Sequence, residues 1–566
     1  MFKNIIIIGV TCLILSGCKK STFVDANTDP TVAYAINPEN QFLNGSRHIF
    51  GNDFEAYYET YRDIMPWLQL TTPTSGNLKN FTASSNPFGR YDNLYGRGGG
   101  SELFDVNVAI SKLESPKKET YQQLGAIARI LLDYEAFYVS DVYGSIAYSQ
   151  AFKGRYTLEF TVPYDKQQDV FNAIDLDLKT AVQNIKTAPS GQFAISNYDQ
   201  FYFGDVSKWI KAANSLRLRM AMRIMKVDNA TASSIITEVL ASPATELMSS
   251  NDDSWTLYAP SSFTSGGNWN PDGLRAPKAL TDFMVTKADP RLRIFFTKNS
   301  YSQENFNLAK AQGLIATDAT FTDQRYVGSF ANPDSSALPV IQTKYYTTRQ
   351  IAKGSGNINL DTLSNINPRI FQAAFNGGTG TQYIPLITYA DYCFMRAELS
   401  AAGINGDDPS TWYNNGVTAS IQYYGKMATD GQLLDYYLES GGALVTAPSQ
   451  TEIDNYLAMP GVAYDVAKGL DQIASQSFIN FFKEPNEAWA VVKRTGMPDN
   501  TTSLKMERLT YNGIELSIPR RAPRSLPPTT DINFENINTA FAEMESNPDY
   551  GSGPADISGR VWWDKK

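Results

Sequence analysis

Val206-Ser207-Lys208-Trp209-Ile210-Lys211-Ala212-Ala213-Asn214-Ser215-Leu216-Arg217-Leu218-Arg219-Met220-Ala221-Met222-Arg223-Ile224 decides how this chain is read. Trp209, Ala213, Leu216, Met220 and Ile224 follow one another at spacings of 4, 3, 4 and 4, which is one buried stripe along an α-helix. Arg217, Arg219 and Arg223 fall beside that stripe. They could form a cationic patch, but guanidinium groups that lie along the helix and pair with nearby acids are the stronger reading. Asp205 and Ser207 supply an N-cap region.

Working outward, segments 121–140, 165–188, 387–402, 411–424, 470–482 and 486–492 carry the same helical period, and Gly403 stops one of them. The helices come as neighbouring pairs separated by longer irregular stretches. Such pairs suggest helix-turn-helix repeats of the solenoid kind, divergent because no strict period of about 34 residues is visible. Residues 245–385 differ: they are rich in Gly, Pro, Asn, Ser and Thr, with few helical periods. A stretch of that kind is usually functional rather than a linker.

The N-terminus has one cation, Lys3, then an apolar run over 5–15, then Leu15-Ser16-Gly17-Cys18. That is the layout of a bacterial secretory signal, and the run is short of the ~20 residues that span a bilayer. Cysteine after two small residues is the added feature of a lipoprotein signal. The reading is therefore a removed signal peptide over 1–17, lipid on Cys18, and an extended polar lead over 18–45. Asp25-Ala26-Asn27-Thr28-Asp29 imitates a calcium loop, but Pro30 and Ile36 stand where the loop needs Gly and Glu. No cofactor is expected, and a structural calcium has no support in the sequence.

Composition excludes several functions. The 566 residues carry a net charge of −9, and no Lys/Arg run exceeds two, which argues against nucleic acid. A single histidine, His48, leaves almost no material for a Ser-His-Asp triad or a multi-histidine metal site. No metal site and no catalytic residue is assigned. Cys393 lies in the apolar stretch Tyr392-Cys393-Phe394-Met395 and reads as buried and inert. Gly96-Arg97-Gly98-Gly99-Gly100 lacks the Gly-Lys-Ser/Thr ending of a phosphate loop and reads as a turn.

Aromatics reach 12%, with 32 Tyr, 30 Phe and 8 Trp, a composition suited to stacking on sugars or peptides and equally to packing between helices. Three stretches combine aromatics with loop signals: 66–95, 255–275 and 371–383. Within them the candidate ligand residues are Trp67, Arg90, Tyr91, Asn93 and Tyr95, and Asn268, Trp269 and Asn270. Trp269, between two asparagines and after two glycines, is the first choice for an exposed platform, and Trp67, after a proline, the second.

The residues also carry a resemblance. Phe203-Gly204-Asp205 leading into the helix quoted above is similar to the signature helix of SusD/RagB-type outer-membrane lipoproteins. Asp141-Val142-Tyr143-Gly144, Ala288-Asp289-Pro290-Arg291-Leu292, Tyr389-Ala390-Asp391 with Arg396-Ala397-Glu398, and Tyr413-Asn414-Asn415-Gly416-Val417 follow in the family's order. So do Trp489, Arg494-Thr495-Gly496-Met497-Pro498, Ile518-Pro519-Arg520-Arg521 and Val561-Trp562-Trp563-Asp564. The resemblance, closest to the SusD-like nutrient-binding branch, implies a mostly α fold. About four tetratricopeptide-like helix pairs would form a scaffold, here over 121–243 and 387–494 of one SusD-like domain at 46–566, with a large irregular loop-rich ligand-binding region over 245–385. It implies a non-catalytic lipoprotein of the outer membrane, facing outward. Such a protein binds oligosaccharides or oligopeptides and is the lid of a SusC-like TonB-dependent transporter. Lys19-Lys20-Ser21 departs from the acidic cluster common after the lipidated cysteine of surface-exported relatives. A surface hydrolase of glycans or peptides, and an adhesin without a small ligand, remain the alternatives.

Overall fold

The computed structural model describes residues 37–79, 81, 89–271, 273–437 and 442–566. Cys18, the run ahead of it and the calcium-loop look-alike lie outside the described residues. The chain enters through α1 (Pro38–His48), a wide helix α2 (Glu55–Ile64) and α3 (Gly99–Ser111). Helix α2 is wound one residue looser than an α-helix: the Met65 N–H bonds the Thr60 carbonyl, five residues back. Gly98, at φ 95°, opens α3, and side chains on Gly99 and Gly100 would collide with Ile49 and with the Leu94 carbonyl. This glycine run therefore permits close helix packing.

Four pairs of consecutive helices then build the scaffold: α4 (Gln122–Tyr143) with α5 (Gln167–Lys186), α6 (Val206–Ile224) with α7 (Asn229–Leu240), α8 (Tyr389–Ala401) with α9 (Pro409–Asp430), and α10 (Gly469–Asn480) with α11 (Pro485–Thr495). Four of the starts are set by a side-chain cap. Asp205, Asp228, Thr388 and Asp408 cap α6, α7, α8 and α9 by accepting a backbone N–H of the first turn at 2.9–3.2 Å. Gly403, at φ 72°, follows α8. The pairs stack on one another: α6 packs on α4, α5 and α8, and α10 packs on α8 and α9. The fold is the mostly helical, tetratricopeptide-like one that the sequence implies.

Between α7 and α8 the chain makes short helices and two antiparallel strand pairs. β1 (Trp255–Pro260) pairs with β4 (Thr381–Ile387), and β2 (Arg349–Lys353) forms a hairpin with β3 (Gly356–Leu360). β1 has the aromatic and β-branched residues that favour a half-buried strand.

The three arginines of α6 hold the stack together. Arg217 pairs with Asp175 on α5 at 2.7 Å and Glu238 on α7 at 3.1 Å. Arg219 pairs with Asp391 on α8 and with Glu487 on α11, the latter at 3.4 Å. Arg223 pairs with Asp141 on α4 at 3.1 Å and with Glu487. Burial pushes Glu487 up, yet the two guanidiniums beside it hold it below the usual carboxylate range. The other family-like motifs are staples of the same kind. Arg291 bonds Asp289, Ser420 on α9 and Gln476 on α10 at 2.7–3.0 Å. The Trp489 indole donates to the Pro519 carbonyl at 2.6 Å, and the Trp563 indole donates to the Asp141 carbonyl at 2.8 Å. Cys393 is fully buried, and burial pushes its thiol up to about 12, as an inert cysteine requires.

Candidate ligand-binding face

The exposed side of α2 is an aromatic ridge. Phe54 is 48% exposed and packs on Tyr58 at 5.7 Å between ring centres. Tyr57 meets Tyr58 edge-on at 4.9 Å, and the Arg62 guanidinium lies 4.2 Å over the Tyr57 ring. Loop 261–271 is stapled to this ridge. The Asp53 carboxylate accepts from the Asn268 backbone N–H and from its side-chain amide, both at 2.8 Å. The Tyr61 hydroxyl donates to the Trp269 carbonyl at 2.6 Å. Gly267 sits at φ 71°, and any side chain there would run into Asp53. Trp269 is half-buried with Phe263 at 6.1 Å beside it. Flat ring faces and the Arg62 and Asp53 side chains therefore share one surface.

Beneath Trp269 lies a cavity of about 120 Å³, between α2, α4, β4 and the start of α11. Glu55, Glu135, Lys483 and Glu484 line it. Burial, reinforced by the neighbouring Glu59, pushes the Glu55 carboxyl up, while Arg90, Tyr138 and Asn93 pull it back. Burial also pushes up Glu135 and Glu484. Burial pushes the Lys483 ammonium, 4.7 Å over the Phe371 ring, down to about 7.

The structure separates the sequence candidates. Asn268, Trp269 and half-buried Asn270 sit on this face, and Asn270 Oδ1 has no donor among the described residues. Trp67, Arg90 and Asn93 are buried in the scaffold, which corrects their reading as ligand contacts within 66–95. Pro66 continues α2 as a helical turn, so Trp67 is 1% exposed and packs edge-on against Trp489 at 5.5 Å. Arg90 is fully buried, paired with Glu59 and 3.6 Å from the centre of the Tyr138 ring. Asn93 is fully buried and donates to Glu55. Tyr91 and Tyr95 are half-buried and spend their hydroxyls internally, on Tyr164 and on the Ala147 carbonyl. From 371–383, Phe371 packs under Tyr61 at 5.4 Å and Phe375 packs on Tyr437. Sequence reasoning missed Phe54, Tyr57 and Tyr58; the available signal was their density in Phe54-Glu55-Ala56-Tyr57-Tyr58. His48 is hydrogen-bonded to Glu102 at 2.6 Å at the surface and touches no part of this face.

Among the described residues, no cluster of His, Cys, Asp and Glu could hold a metal ion. No helix there is long and apolar enough to cross a membrane.

This scaffold of stacked helix pairs is shared with solved proteins. A chitin-binding protein overlays with a TM-score of 0.67 at 22% identity, covering 94% of this chain and 100% of that one. A SusD homologue from Bacteroides fragilis gives 0.64 at 19%, covering 93% and 100%. A chitin-binding SusD homologue from Flavobacterium johnsoniae gives 0.60 at 20%, covering 93% and 99%. No curated protein matches the sequence. The SusD-like family described as starch-binding and associating with the outer membrane matches residues 35–521, and this chain belongs to that family.

Proposed function

We propose that this protein is a surface lipoprotein that captures oligosaccharides and passes them to a TonB-dependent outer-membrane transporter, for which it acts as the lid. The observation that carries the glycan reading is the ridge of Phe54, Tyr57 and Tyr58, to whose helix the Trp269 loop is tied through Asp53 and Tyr61. It offers flat apolar faces for sugar C–H groups, next to Arg62 and Asp53 for hydroxyls. The family's starch-binding description and the two chitin-binding relatives support a glycan over a peptide. The lipobox at Cys18 supports anchoring: acylation holds the lid beside its partner and raises effective concentration. The function is capture without turnover, and the transporter contact and outward display rest on the family.

Calorimetry with maltoheptaose, chitohexaose and a mixed tryptic peptide pool tests the reading. Saturable binding of one sugar, weakened about ten-fold in Trp269→Ala, is expected, since a lost stacked ring is worth about 1 kcal/mol or more. Binding of the peptides alone would move the ligand class. Cys18→Ala should release the protein from membranes, and full retention would remove the lipid argument.

Hydrolysis is a second reading, favoured by one observation: Glu55, Glu135 and Glu484 line one cavity and are all pushed up. A cavity of about 120 Å³ is small beside the ~300–1,000 Å³ of ordinary ligand sites, and Glu55 already serves Tyr138 and Asn93. Release of reducing ends by pure protein, lost in Glu55→Gln, would establish it.

A further inference from the structure

Residues 381–387 alternate across β4: Gln382 and Ile384 face the cavity under Trp269, whereas Thr381 and Tyr383 face a different cleft on the other side of the strand pair. That second cleft has a volume of about 360 Å³. Phe203 forms its lip. It is 61% exposed and held at φ 54°, a backbone region a bulky side chain rarely occupies. The turn is held firmly: Asp199 accepts from the N–H groups of Phe201, Tyr202 and Gly204 at 2.9–3.2 Å and from the Trp209 indole at 2.9 Å. A strained, exposed phenylalanine on a turn held by four hydrogen bonds to Asp199 is presented outward by the fold.

The Phe203 ring stacks on Tyr258 at 5.8 Å and 28°, and Tyr258 stands edge-on to Tyr383 at 4.8 Å. Lys208, Asp252, Lys426 and Asp430 rim the cleft. Lys426 and the Tyr383 hydroxyl are engaged with Asp430. Among the described residues, neither the Lys208 ammonium nor the Asp252 carboxylate is in an ion pair.

We propose that this cleft is a second glycan subsite, which takes one or two pyranose rings stacked on Phe203 and Tyr258, with Lys208 and Asp252 on their hydroxyls. The proposal rests on the glycan reading above. The volume falls in the range of small-ligand sites. An apolar partner surface would strip water from Lys208 and Asp252 and give nothing back, whereas sugar hydroxyls supply an acceptor to Lys208 and a donor to Asp252. Because Trp269 and Phe203 stand over cavities on opposite sides of one strand pair, a short oligosaccharide fills one site or the other, and a long one, or two branches of a polymer, can engage both. Two weak subsites on one body raise avidity for long chains over short ones.

The test is calorimetric stoichiometry of the full chain, purified in detergent, with maltotriose and with tri-N-acetylchitotriose. Two trisaccharides per chain are expected for one of these sugars. Phe203→Ala should leave one and Phe203→Trp should restore the second, with no loss of thermal stability in either variant. Trp269→Ala should also leave one, now at the Phe203 cleft. A stoichiometry of one that Phe203→Ala does not change overturns the second subsite and leaves the glycan reading standing. Unchanged sugar binding, with loss of a membrane protein that co-purifies with the wild type, also overturns it and marks Phe203 as a protein contact. No binding of either sugar by the wild type overturns the subsite and the glycan reading together.

Discussion

Helix α6 and the turn just ahead of it differ sharply although they are contiguous. In α6, Arg217, Arg219 and Arg223 are at most 4% exposed, and each is spent on acids from other helices. In the turn, Phe203 is apolar and exposed. The polar groups are inside and the apolar one is outside, the reverse of the ordinary rule. A buried charge is tolerated only when its partners are all in place, so the arginines specify which helices meet. An exposed ring contributes nothing to the core, so its place is explained by what it meets outside. The arginine and tryptophan staples fall in the first class, whereas Phe203, though it opens a family-like motif, falls in the second with Phe54.

Breaking α6 should have the largest effect. Arg219→Met leaves Asp391 and Glu484 buried without the cation they share and leaves Glu487 with Arg223 alone. We expect a loss of about 3–5 kcal/mol in denaturant unfolding, since one partner of a buried pair is removed. Trp67→Ala should cost a similar ~3–5 kcal/mol through the cavity left beside Trp489, and per folded molecule sugar binding should be unchanged. A binding defect in folded Trp67→Ala would contradict its assignment to the core. On the other side of the comparison, Asp53→Ala removes both bonds to Asn268 and leaves loop 261–271 held by the Tyr61–Trp269 bond, and sugar affinity should fall several-fold with about 1–2 kcal/mol of stability.

The smallest effect sharpens the electrostatics of the cavity. Folded Lys483 titrates at about 7, against 10.5 for a free lysine. Between those values the unfolded chain holds a proton that the folded chain does not, so this group makes stability rise with pH across the window. Lys483→Met should remove that slope, and its stability advantage over the wild type should shrink from pH 7 to pH 9 in urea unfolding. A constant difference would place the Lys483 ammonium in water.

The scaffold was legible because periodicity reports burial directly. Trp209 to Ile224 and the segments 121–140, 165–188, 387–402, 470–482 and 486–492 run within a few residues of the observed helices, whereas Asn229–Leu240 was not read as a helix and 411–424 stops short of Asp430. The face was legible only in part. Trp269 and Asn268 stood out because glycines and asparagines flag a loop, and the loop is there. The same local rule misplaced Trp67 and Arg90, because a proline also opens helical turns and an arginine can be paid for by one distant acid, Glu59. Tyr57 and Tyr58 escaped because a helix wound five residues per hydrogen bond turns its faces at a period that sequence templates do not test. Phe203 was read as part of a signature, and its strain and exposure exist only in three dimensions.

Hydrogen–deuterium exchange on the full chain, with and without saturating maltoheptaose or chitohexaose, tests most directly the claim that ligand is held by the aromatic face and not by the scaffold. The account predicts protection concentrated at residues 53–62 and 261–271, with α4 to α7 unchanged outside the turn ahead of α6. Protection of the helix pairs, or of 66–95 in place of the ridge, would contradict it.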